Sequence, residues 1–77
     1  MVEAAQIREH MEVVSADNQH VGRVDHVLGT EIELARMDLQ AMGKHHKIPI
    51  SWVDWVDDKV HLNLSRDAAK ERWLKAD

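Results

Sequence analysis

Hydrophobic positions along this chain change period several times, and short alternating runs dominate. Ala4, Ile7 and Met11 recur at helical spacing in a charged setting, predicting one or two amphipathic turns over residues 1–10. Glu12 to Ser15 carries Val13 and Val14 and predicts a first strand. It stops at Asp17-Asn18, whose side chains bond their own backbone and tolerate left-handed geometry. A second strand starts at Val21. Val24 and Val27 are three apart, so strict alternation would send them to opposite faces, and a bulge near Asp25-His26 reconciles them. Leu28-Gly29-Thr30 is the next turn, and Glu31 to Arg36 then alternates, with Ile32 and Leu34 inward.

Residues 37–44 have no firm period and contain Gly43, which predicts an irregular loop suited to binding. Ile48 and Ile50 resume one face. Pro49 cannot donate a ladder hydrogen bond, so it places its strand at an edge or a bulge. Trp52, Val53, Trp55 and Val56 cannot share one face of a strand, and a single helical turn is expected there. Asp57-Asp58-Lys59 turns the chain into an alternating strand of Val60, Leu62 and Leu64, with His61 and Asn63 outward. Ser65 then caps a helix with Asp67 in its first turn and Ala69 and Trp73 on one stripe. Glu71 and Lys75 add an i,i+4 pair worth about 0.3 kcal/mol.

These elements predict a mainly β chain: a small antiparallel β-barrel over residues 11–64, followed by a C-terminal helix over 65–77. Its 77 residues suffice for one domain, 1–77. A domain this small buries roughly 60% of its unfolded surface and has a stability on the order of 5 kcal/mol. Phe and Tyr are absent, so Val, Ile, Leu, Met and three tryptophans must fill the core. Without cysteine there is no disulfide or thiolate metal site, which fits a reducing compartment, so a cytoplasmic location is expected. Neither a signal peptide nor a membrane-spanning run is visible. A net charge of −4 with interspersed signs gives no electrostatic reason to bind nucleic acid.

One set of residues carries a resemblance. It comprises Ile7 with Met11 and Val13; His20-Val21-Gly22 with Val24, Asp25 and Val27; His45-His46 with Ile48-Pro49 and Trp52-Val53; Val60, Leu62 and Leu64; and Ala69 with Trp73. The pattern spans roughly residues 7 to 73 and resembles the bacterial domain of unknown function 2171 family. That family is in turn similar to the PRC-barrel superfamily of the photosynthetic reaction-centre H subunit and the ribosome-maturation factor RimM. The resemblance implies a PRC-barrel-like antiparallel β-barrel of about six strands. It also implies a role in docking onto other macromolecules. A second domain like the one that accompanies the barrel in RimM is not expected within these 77 residues, and neither is a ribosome-assembly role.

Enzymatic chemistry is not expected. Ser15, Ser51 and Ser65 have no sequence-adjacent base, and Ser65 is better used as a cap. Gly22, Gly29 and Gly43 are isolated and make no phosphate-cradling loop, and Asp54, Asp57 and Asp58 lack the pattern of a calcium loop. Six histidines stand at positions 10, 20, 26, 45, 46 and 61. None forms a ready local chelate, so neither a cofactor nor a metal is expected. A transition-metal site, if present, would assemble across strands from His46, His61 and His20 or His26. A pH response is the related alternative: protonated His45 and His46 beside Lys44 and Lys47 would repel and loosen their strand. Trp52 and Trp55 cannot both be buried by one turn, and Trp55 is expected on the surface, where large aromatics anchor interfaces. The leading functional expectation is therefore a noncatalytic interaction module for a protein partner or a second copy. Its expected surface comprises Met42, His45, Lys47, Trp52 and Trp55.

Overall fold

The computed structural model describes residues 2–35 and 43–75. The chain enters through a single 3-10 turn at Ala4–Gln6, where the Glu3 N–H donates to Gln6 Oε1 at 2.9 Å. Of the expected amphipathic stripe, Ile7 is buried and Met11 packs against the core, whereas Ala4 is exposed. Among the described residues seven strands follow: β1 Glu12–Val14, β2 His20–Leu28, β3 Glu31–Leu34, β4 His46–Pro49, β5 Val53–Val56, β6 Lys59–Leu62 and β7 Leu74–Lys75. A helix, α1 at Arg66–Arg72, separates β6 from β7.

The strands form one sheet in the order β5-β6-β1-β2-β3-β4-β7. Among the described residues no ladder joins β5 to β7, so hydrogen bonding does not close the sheet into a barrel. The expectation of a wholly antiparallel sheet is also corrected, because β1 pairs with β6 in parallel. A parallel neighbour needs a long crossover rather than a hairpin, and the chain from β2 to β5 supplies it.

Strand β2 organises the fold. Its first half pairs with β1 and its second half with β3, and the register shifts between Val24 and His26 where the partner changes. Asp25 is the extra residue of that expected bulge, and bulges bend a strand and raise its twist. Further register shifts fall at Val13/Val14 and at Val53/Trp55. Gly29, at φ 63°, supplies the left-handed residue of the two-residue hairpin between β2 and β3.

Val13, Val21, Val24, Ile32, Leu34, Ile48, Val60 and Leu62 are fully buried and form the centre of the core. Strands β3 and β6 alternate as expected, with Ile32, Leu34, Val60 and Leu62 inward. Pro49 lies past the reach of β7, which bonds only to His46 and Lys47, so its missing N–H costs no ladder bond on that side.

Two expected elements are corrected. Where one helical turn was expected around Trp52 to Val56, a 3-10 turn at Ile50–Trp52 runs directly into β5. The bulge between Val53 and Trp55 breaks the alternation there. The C-terminal helix is also shorter than residues 65–77. Ser65 does cap it, its hydroxyl accepting from the Ala68 N–H at 3.2 Å, and Ala69 is buried. Trp73, however, is extended at φ −64° and ψ 152°, and the chain rejoins the sheet as β7. Lys75 therefore lies in β7, beyond the helix, so the i,i+4 helical spacing expected with Glu71 does not hold.

Candidate functional site

The β5–β6 hairpin builds an aromatic platform. Its turn is set by Asp57, whose N–H donates to the Lys59 carbonyl at 3.0 Å and whose Oδ1 accepts the Lys59 N–H at 2.8 Å. Across the ladder Trp55 pairs with His61. Their rings stack with centroids 3.7 Å apart and planes 4° from parallel. His61 Nε2 lies 2.8 Å from Asp57 Oδ1, so the imidazole is held from its far edge while the indole lies on its face. Trp55 remains 49% exposed. Trp52, by contrast, packs against the core, and its carbonyl accepts from the Asn63 N–H at 2.8 Å. Beside the platform, Asn18, Asp54, Trp55 and His61 border a groove of about 300 Å³. The other expected surface residues lie elsewhere: His45 and Lys47 are at β4, and Met42 falls outside the described residues.

The histidines are dispersed among separate partners. His20 Nδ1 lies 2.6 Å from Glu12, which also faces Lys59 Nζ at 3.6 Å. His26 Nδ1 lies 3.3 Å from Glu9. His46 is buried and stacks on Trp73, with centroids 3.9 Å apart. His61 sits between Asp57 and Trp55. The structure therefore does not converge His20, His26, His46 and His61 into one metal site. His45 and His46 also part company: His46 opens β4 with its ring buried, whereas His45 precedes the strand and faces Asp25. His45 Nε2 faces the Asp25 carboxylate, 3.3 Å from its Oδ2.

A different group converges instead. Asp25, Glu33 and His45 each offer one potential ligand atom, all within 4.8 Å of one another. The expected bulge at Asp25 and the outward alternation of Glu33 were both visible in the sequence. What was missing was the β3–β4 register, which places Glu33 opposite Lys47, two residues from His45.

Two of the three candidate nucleophiles, Ser15 and Ser65, are engaged in structural bonds. The Ser15 hydroxyl donates to Asp17 and accepts the Gln19 N–H at 3.0 Å, and the Ser65 hydroxyl caps α1.

Three carboxyls are held below their ordinary range. For Glu12 the main cause is the hydrogen bond from His20, opposed by burial. For Asp17 it is the Ser15 hydroxyl, and for Asp57 the Lys59 backbone N–H, each again opposed by burial. Such groups bind protons less readily folded than unfolded. Their contribution is complete above the unfolded carboxylate pKa of about 4 and is lost as pH falls through the lower folded values. The urea midpoint is expected to show no carboxylate-linked loss between about pH 7 and 5 and to drop below about pH 4, with a shallower drop in Asp57→Asn. A midpoint unchanged at about pH 3 would contradict this account.

Residues 7–70 match a family described as an uncharacterised protein conserved in bacteria, domain of unknown function 2171. The chain belongs to this family. The match takes in all of the strands β1 to β6 and most of α1, so the Trp55–His61 platform and the Asp25, Glu33 and His45 group both fall inside the domain of unknown function 2171. A search of curated proteins returned no match. No helix among the described residues is long and apolar enough to cross a membrane.

Proposed function

We propose that this domain is a noncatalytic interaction module that docks a protein partner, or a second copy of itself, through the face carrying Trp55. The observation that carries this reading is a half-exposed indole held flat against His61, itself anchored by Asp57. An aromatic already fixed in its contact geometry loses little conformational freedom on binding, and such residues anchor interfaces. Its position on β5, at one end of the strand order, adds a sheet edge to which an extended segment could bond. The engagement of Ser15 and Ser65 in structural bonds supports the noncatalytic part of the proposal. A PRC-barrel-like ancestry, in a cytoplasmic protein, is part of the same proposal and agrees with a docking role.

Native mass spectrometry of untagged protein over a range of concentrations tests the self-associating form, and capture of partners from a bacterial lysate tests the other. Trp55→Ala is expected to weaken dimerisation, or binding of a captured and then purified partner, by about tenfold or more, because truncating an interface anchor costs above about 1.4 kcal/mol. Circular dichroism of the variant should be unchanged, since the indole lies on the surface. Equal affinity for wild type and Trp55→Ala would sink the proposal.

A further inference from the structure

We propose that Asp25, Glu33 and His45 form a binding site for a divalent transition-metal ion of the zinc type. Three neighbouring strands assemble it. Asp25 is the extra residue of the β2 bulge, Glu33 stands on β3, and His45 immediately precedes β4. The bulge sets His26 opposite Glu33 and leaves Asp25 unpaired beside them, and bulges of this kind recur beside functional sites.

The distances suit a small ion. Ligand atoms about 2.0–2.2 Å from a tetrahedral zinc lie about 3.3–3.6 Å from one another. His45 Nε2 and Asp25 Oδ2 already stand 3.3 Å apart, and all three candidate ligand atoms lie within 4.8 Å of one another. Closing the remaining pairs to that spacing requires shifts of at most about 1.5 Å. All three residues are partly buried rather than waving in solvent.

The chemistry selects the metal class. One imidazole nitrogen with two carboxylate oxygens suits zinc and its first-row neighbours, whereas calcium and magnesium prefer all-oxygen shells. Two carboxylates so close repel each other, and a dication between them removes that repulsion. The surrounding charges are mixed. Lys47 stands opposite Glu33 in the β3–β4 ladder and competes as a cation. His26 Nε2 lies 3.8 Å from Asp25, while its Nδ1 faces Glu9, so this imidazole can steady the Asp25 carboxylate from outside the shell. Three protein ligands leave the fourth position to water.

None of the three residues belongs to the Trp55 platform, so this site and the docking proposal can fail separately. The test titrates chelator-treated, untagged protein with Zn²⁺ against a fluorescent zinc chelator, using Mg²⁺ as the comparison ion. The expected result is one Zn²⁺ per chain with no comparable Mg²⁺ binding. Affinity should fall about 10–100-fold or more in Asp25→Asn, Glu33→Gln and His45→Gln, since even partners outside the shell cost that much. His20→Gln should bind as wild type does. Thermal unfolding should shift upward with Zn²⁺ in wild type but not in Glu33→Gln, a variant whose folding is checked by circular dichroism without metal. Absence of stoichiometric Zn²⁺ binding would overturn the proposal. So would Zn²⁺ binding that survives Glu33→Gln and His45→Gln, because the ion would then sit on scattered histidines.

Discussion

Ile32→Ala is expected to destabilise the domain by about 2–5 kcal/mol, a loss comparable with the whole stability of a chain this size, on the order of 5 kcal/mol. Ile32 has no exposed surface and sits in the middle of three adjacent strands, opposite Val27 on β2 and Ile48 on β4. Truncation removes three carbons from the contact between these strands. It also leaves a cavity that a rigid ladder on both sides cannot collapse to fill. With no Phe or Tyr in the chain, no large aromatic ring of those types is at hand to swing into the space. Urea unfolding should show a much lower midpoint at an unchanged slope, while Glu31→Ala, one position away and partly exposed, should move stability by no more than about 0.5 kcal/mol. A loss below about 1 kcal/mol for Ile32→Ala would mean that β3 and β4 are not part of one cooperative core.

Gly22→Val should cost toward the upper end of the about 1–3 kcal/mol typical of overpacked cores. A Cβ built at Gly22 would meet Leu34 Cδ1 at 3.3 Å, and the branched valine reaches further. Leu34 is itself 1% exposed, hemmed in by the same core, and has little room to retreat. Glycine suits this point of β2 through close approach to Leu34 rather than through an unusual backbone angle. A double-mutant cycle tests this contact, because Leu34→Ala opens the space that the valine needs. Gly22→Val with Leu34→Ala should be less destabilised than the sum of the two single variants, by an interaction energy of about 0.5–3 kcal/mol. Additive losses would place the cost of Gly22→Val somewhere other than the Leu34 contact.

Much of this architecture was readable from local pattern. Alternation placed Ile32, Leu34, Val60 and Leu62 in the core, and the three-residue spacing of Val24 and Val27 located the bulge at Asp25. Ser65 was recognisable as a cap because its hydroxyl competes for first-turn amides wherever a helix starts. The division between Trp52 and Trp55 also followed from the sequence, although the element that separates them did not. A helical turn and a bulged strand place Trp52, Val53 and Val56 on similar sides, so a run of four residues does not distinguish them; the ladder to β6 does.

The histidines show where local reading ends. A strand pattern tells which way a side chain points but not what stands across from it. Thus the alternative weighed from the sequence was a metal site of His46, His61 and His20 or His26, although no metal was expected, whereas His20 found Glu12, His46 found Trp73 and His61 found Trp55. The group of Asp25, Glu33 and His45 depends on two registers, β2 with β3 and β3 with β4. The sequence by itself determined a mainly β domain, its inward positions, its turns and its exposed tryptophan, because these depend on periodicity and on turn chemistry within a few residues. Only the tertiary structure decided the parallel pairing of β1 with β6, the return of the C-terminus as β7 and the partners of each histidine, because these are set by contacts between segments far apart in the chain.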